Sequence, residues 1–244
     1  MPDRRPNVIY IIADQLRYDH LGCTGHPRVR TPNIDRLAER GACLDRFYTN
    51  HPICTPARAA VLTGRRPRNN RAYDNGCPLE ASQGTLPGLL GEVGYHTAAV
   101  GKIHLTPWWK PDPGYLESNA TWRTGPATVG PQPYLGFDAA EVCMCHGDNH
   151  AGHYGAWLAE RLPDVQANWN DYLAPTGSTN LQVSRWTLPE EAHVNAWITE
   201  RCRAVLAERA AEPDRPFFLH VGFPDPHHPF RAPEPWGSMF DAAD

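Results

Sequence analysis

Apolar positions along this chain fall into two textures, unbroken runs and spaced stripes. Val8-Ile-Tyr-Ile-Ile-Ala13 is an almost continuous β-branched and aromatic run, the texture of a strand covered on both faces in a parallel sheet. Residues 216–223 (Pro-Phe-Phe-Leu-His-Val-Gly-Phe) repeat it, and residues 95–100 predict a third strand that leads into Gly101-Lys102-Ile103-His104. Helical stripes lie between them. Thr31 suits an N-cap and Pro32 a first helical position, and Ile34, Leu37 and Ala38 line one face before Gly41 ends the helix. Residues 56–63, stopped by Gly64, and 86–93, stopped by Gly94, predict two shorter helices. The longest predicted helix covers 188–211, with Ala196, Val205 and Leu206 among its apolar positions. Strands alternating with helices predict an α/β fold with a mostly parallel sheet flanked by helices.

From about residue 106 to 155 the texture changes to Pro, Gly, Trp, Asn and His with little periodicity, which reads as a long irregular insertion. The whole chain carries 25 prolines and 20 glycines, so long loops are expected and a simple helical bundle is not. Its 244 residues are enough to bury a substantial core without covalent staples. A net charge of −4 gives no broad attraction to nucleic acid or anionic membranes, so neither is an expected partner. Seven scattered cysteines allow no complete disulfide framework and point to a reducing compartment. Arg4 and Arg5 ahead of the first apolar run imitate a leader. The run is too short for one, however, and Asp14 closes it without a small-residue cleavage site. No segment approaches the roughly 20 apolar residues of a membrane helix, and the expected location is cytoplasmic.

Candidate chemistry gathers where strands end. Ligand sites in open α/β sheets lie beyond the carboxyl ends of the strands, and Asp14 with Gln15 stands at one such end, offering oxygen ligands suited to a hard divalent cation. Cys54-Thr-Pro-Ala-Arg58 opens a predicted helix, whose free N–H groups favour an anion, and Arg58 lies one turn beyond Cys54 on the same face. Lys102 and His104 alternate at a strand end and should face one side as a joint anion site. Asn75, in Asp74-Asn75-Gly76, is most simply a turn residue. Trp108 and Trp109 are candidates for stacking on a substrate or for peripheral core. Cys143-x-Cys145-His146 with His150 and His153 lacks the spacing of a zinc finger, and these histidines are candidates for the substrate entrance.

The pattern Cys-x-Pro-x-Arg at Cys54–Arg58, with Ala59-Ala-Val-Leu-Thr-Gly64 after it, resembles the sulfatase family of the alkaline-phosphatase-like superfamily. Four companions stand in family order. They are Asn7-Val-Ile-Tyr-Ile-Ile-Ala-Asp-Gln15, Thr31-Pro-Asn-Ile-Asp-Arg-Leu-Ala38, Gly101-Lys102-Ile103-His104 and Pro226-His227-His228-Pro229-Phe230. The resemblance implies an alkaline-phosphatase-like fold over residues 1–244, as the N-terminal part of a catalytic domain that reads as truncated. It also implies a metal-dependent sulfate-ester hydrolase acting on a small-molecule substrate. By the same resemblance a formylglycine-generating enzyme converts Cys54 to formylglycine, which attacks sulfur. Arg58 holds the nucleophile, and Asp14, Gln15 and position 54 hold the cation, with Ca2+ ahead of Mn2+ or Mg2+. Lys102 and His227 stabilise charge on the sulfate, and His104 takes a proton. Alignment of the Pro-His-x-Pro-Phe segment selects His227 over His228.

Two alternatives stay open. Gln15, where many sulfatases have a second aspartate, resembles the choline-sulfatase and phosphonate-monoester-hydrolase branches, and in the latter the loop corresponding to Asn75 approaches the active site. A phosphonate monoester or phosphodiester hydrolase is thus the competing enzyme, although that branch tends to lack the lysine and histidine found at 102 and 104. The other alternative is an inactive fragment or binding module, because no later Asp-Asn or Asp-His metal pair follows Phe230. Oligomeric state is not readable from the sequence.

Overall fold

The computed structural model describes residues 5–109, 115–123, 133–144, 146, 150–169, 182–183 and 186–240. Four parallel strands form one sheet in the order β1-β4-β2-β3: β1 (Val8–Ala13), β2 (His96–Gly101), β3 (Ala139–Val142) and β4 (Phe217–Phe223). The helices are α1 (Pro32–Arg40), α2 (Cys54–Thr63), α3 (Pro67–Asn70), α4 (Leu86–Glu92), α5 (Asn119–Arg123), α6 (His153–Arg161), α7 (Pro163–Ala167) and α8 (Val194–Ala210). The predicted α/β class and its three strands are therefore observed. β3 is an addition, lying within the stretch that composition marks as irregular.

Each face of the sheet has its own core. Ala59 and Leu62 of α2 join Ile103, Leu105, Phe137 and Phe218 on one side, while Tyr154 of α6 and Trp197 and Ile198 of α8 join Leu219 and Val221 on the other. This division follows the strand period, since Phe218 and Leu219 are neighbours on β4 and point to opposite faces.

Register levels the strand ends. Ala13 pairs with Phe223 and Gly101 with Gly222, so Asp14, Lys102 and the loop after β4 leave the sheet at one edge. Gly101 and Gly222 permit this close approach. A Cβ on Gly222 would stand 2.0 Å from the Lys102 carbonyl oxygen, and one on Gly101, where φ is +94°, 2.2 Å from that of Gly222.

Three local expectations need correction. β1 is an edge strand paired to β4, and Ile9 and Ile11 are 47% and 59% exposed, so it is not covered on both faces. The Thr31 hydroxyl does not cap α1. It accepts from the Gly22 N–H and donates to Asp35 Oδ1, and Asp35 in turn accepts from the Cys23 N–H. The long helix begins at Val194 and not at 188, because residues 190–192 form a separate 3-10 turn. His193, extended and accepting from the Asn195 N–H through Nδ1, caps α8.

Candidate active site

α2 starts at Cys54 itself, two residues earlier than the sequence predicts, which puts Cys54 at the first helical position. Asn75 reaches across from its turn, and its Oδ1 accepts from the Thr55 N–H at 3.0 Å, a cap supplied by a distant loop. Asn75 thus lies beside the cysteine and is tied to the helix that carries it.

Asp14 is the hub. It is 7% exposed, and its carboxylate contacts the Lys102 ammonium, which is fully buried. Arg58 Nη2 lies 3.6 Å from Asp14 Oδ2, while Arg58 Nη1 donates to the Lys102 carbonyl at 2.8 Å. Cys54 Sγ stands 3.7 Å from Asp14 Oδ1. Burial alone pushes the Asp14 carboxyl up, but Lys102 and Arg58 outweigh it and hold the group at about 2. Burial and the adjacent carboxylate together push the Cys54 thiol above its ordinary range. This cysteine is therefore not an activated thiolate.

Gln15 follows in left-handed backbone, φ +58°, and is exposed. A non-glycine residue in that region at a strand end reflects a local constraint.

β2 ends at Gly101, so Lys102 and His104 do not share a face by strand alternation as predicted. The chain turns, with His104 itself left-handed at φ +54°. Both side chains are nonetheless buried, and neither ring nitrogen of His104 has a hydrogen-bond partner. Burial, with Lys102 and Arg58 nearby, lowers the His104 pKa well below the usual range and keeps the ring neutral.

Sequence reasoning did not find what holds this turn. Glu117 is buried and accepts from the His104 N–H, the Leu105 N–H at 2.8 Å and the Tyr134 hydroxyl at 2.9 Å. A lone glutamate in a stretch without periodicity offers no spacing signal.

The loop after β4 brings in His227, whose Nδ1 faces the His228 carbonyl oxygen. Asp225 anchors that loop. Its Oδ2 accepts from Asn195 Nδ2 at 2.7 Å and lies 3.5 Å from His193 Nε2, both at the start of α8. Beside His227 opens a cavity of about 900 Å3 lined in part by His193, Asn195, Asp225, Phe230 and Trp236.

The described cysteine and histidines of the 143–153 segment disperse. Cys143 is buried in the α8-side core, His150 packs on Trp169, and His153 accepts from the Val142 N–H and packs on Trp122. Cys145 lies outside the described residues. His146 alone turns into the cleft, stacked on His227 with ring centroids 3.6 Å apart. Trp108 packs against the core, and Trp109 meets it edge-on and is 48% exposed.

Comparison with known proteins accounts for this convergence. The Sulfatase family profile matches residues 6–243. The chain belongs to the sulfatase family. It is 32% identical to the multifunctional alkaline phosphatase superfamily protein PehA of Trinickia caryophylli, over 98% of this chain and 45% of that protein. It is 28% identical to an arylsulfatase of Clostridium perfringens, over 98% and 47% of the respective chains. The crystal structure of the phosphonate monoester hydrolase of Agrobacterium radiobacter superposes with a TM-score of 0.72 at 32% identity, covering 98% of this sulfatase-family chain and 45% of that one. The fold is thus alkaline-phosphatase-like, and the chain spans under half the length of these relatives.

Proposed function

We propose that this chain carries the nucleophile side of a sulfate-ester hydrolase. The observation that supports this most strongly is the contact of Cys54 Sγ with Asp14, at the start of a helix and beside the buried charges of Lys102 and Arg58. A cysteine whose thiol is pushed up by burial and by a carboxylate is a poor nucleophile as it stands, which favours its conversion. Formylglycine at position 54 and a divalent cation supply, when present, a nucleophilic oxygen and positive charge for an anionic ester.

The chain's own groups divide the remaining work. Asp14 is ionised and, with Gln15 and position 54, would hold the cation, calcium being expected ahead of manganese or magnesium. Arg58 fixes Asp14 and the Lys102 carbonyl. Lys102 and His227 would bind the sulfate oxygens, with Asn75 at the edge of the substrate site, and neutral His104 would accept a proton. The cavity beside His227 gives room for a small-molecule leaving group. A formylglycine-generating enzyme is the implied partner, and the setting is cytoplasmic, where the other described cysteines, Cys23, Cys43, Cys77, Cys143 and Cys202, would stay thiols. No helix among the described residues is long and apolar enough to cross a membrane.

Phosphonate monoesters are the second substrate class, favoured by the likeness to the phosphonate monoester hydrolase. Parallel turnover of an aryl sulfate and an aryl phosphonate monoester separates the two, with Cys54→Ala as control. Faster sulfate turnover that the substitution abolishes is expected. Faster phosphonate turnover would overturn the preference, and a folded, fully converted chain that turns over neither would favour a binding module.

A further inference from the structure

The hydrolytic reading makes no use of His146. Its Nε2 is buried without a hydrogen-bond partner, and its ring lies nearly parallel to that of His227, at 17°. One ligand atom from His146, one from His227 and one carboxylate oxygen of Asp14 all lie within 4.8 Å of one another. Among the described residues this is the one such cluster of His, Cys, Asp or Glu donors. His227 is also oriented for ligation. Its Nδ1 faces the His228 carbonyl, which can only accept, so Nδ1 carries the proton and Nε2 presents a lone pair. Imidazoles that bind metals are held this way, one nitrogen donating to a carbonyl and the other turned to the ion.

We propose that Asp14, His146 and His227 form a site for a borderline transition-metal ion of the zinc and cobalt(II) class. Two imidazole nitrogens and one carboxylate oxygen are donors such ions take in four-coordinate sites, with a fourth position open. Calcium instead takes six to eight oxygens, so this donor set discriminates against it. Asp14 Oδ2 already faces Lys102 and Arg58, which leaves the Oδ1 side, shared with position 54, for the ion. Those two cations weaken the site relative to a dedicated zinc centre. Because Asp14 serves both metals, the two compete. On the hydrolytic reading, a bound zinc ion also withdraws His227 from the sulfate and inhibits.

The test uses equilibrium dialysis of the purified chain against Zn2+ and Ca2+ separately, together with the visible spectrum after one equivalent of Co2+. All are done on Cys54→Ser, so that the nearby thiol contributes nothing. Expected are one bound Zn2+, intense four-coordinate Co2+ bands without a thiolate charge-transfer band, and at least about tenfold weaker Zn2+ binding in both His146→Ala and His146→Gln. Calcium binding should be unchanged in those variants. Zinc binding that survives both substitutions, or no stoichiometric zinc binding by the folded chain, would overturn the proposal. Formylglycine conversion and ester turnover report separately on the hydrolytic reading.

Discussion

The fully buried ammonium of Lys102 is paired with the carboxylate of Asp14, so no bulk water can replace the carboxylate for Lys102. Removing one partner of such a pair strands the other, at a cost of about 3–5 kcal/mol. Lys102→Met should therefore destabilise the chain by roughly that amount, moderated by Arg58, and adding Asp14→Asn should restore part of it. A double-mutant cycle by urea unfolding measures the coupling.

Asp14 also gives a signature in acid. Its folded pKa of about 2 lies below the ordinary 3.8, so its stabilisation is complete above pH 3.8 and is lost as pH falls through 2. The loss relative to Asp14→Asn should be about 2 kcal/mol, with the two stability curves converging below that window.

His220 acts at a higher pH. Burial, with Arg58 as a lesser cause, lowers its pKa to about 3, so the unfolded chain binds a proton that the folded chain refuses between pH 6.5 and 3. Stability should fall with pH across that window by up to about 1.4 kcal/mol per unit from this residue. His220→Phe, set between the rings of Tyr10 and Phe137, should flatten the slope.

The Gly101–Gly222 approach admits no side chain. Gly222→Ala places a methyl 2.0 Å from a backbone oxygen, a clash with main chain that no rotamer relieves. Loss of soluble folded protein is expected, or destabilisation above about 3 kcal/mol.

Glu117→Gln tests how the His104 turn is held. A carboxylate accepts from two backbone N–H groups at once, whereas an amide turns its own N–H toward one of them. A cost of about 1–3 kcal/mol is expected, with faster amide exchange at His104 and Leu105.

The sequence makes most of the grouping around Asp14 readable, because Asp14, Arg58 and Lys102 sit in short motifs at element ends, and parallel register brings those ends together. Strands β1, β2 and β4 are readable from their apolar runs. β3 is not, since Ala-Ala-Glu-Val is short and lies in a stretch rich in proline and glycine. The exposure of β1 is hidden for a different reason: an edge strand and a central one have the same composition here, and only pairing distinguishes them. Glu117 and Asp225 act through contacts with residues of other segments, and His193 through a cap of its own helix and its contact with Asp225, none of which leaves a periodic trace. His146 lies in a segment without metal-site spacing, and the residues it meets, Asp14 and His227, come from other parts of the chain.

If Cys54 is the precursor of the nucleophile, its conversion and ester turnover must go together. Mass spectrometry of the Cys54 peptide, after expression with a formylglycine-generating enzyme and alongside sulfate-ester turnover by the same preparation, tests it directly. Sulfur should be replaced by an aldehyde oxygen, and turnover should rise with the converted fraction. A peptide that retains its thiol in a preparation with full turnover would contradict it.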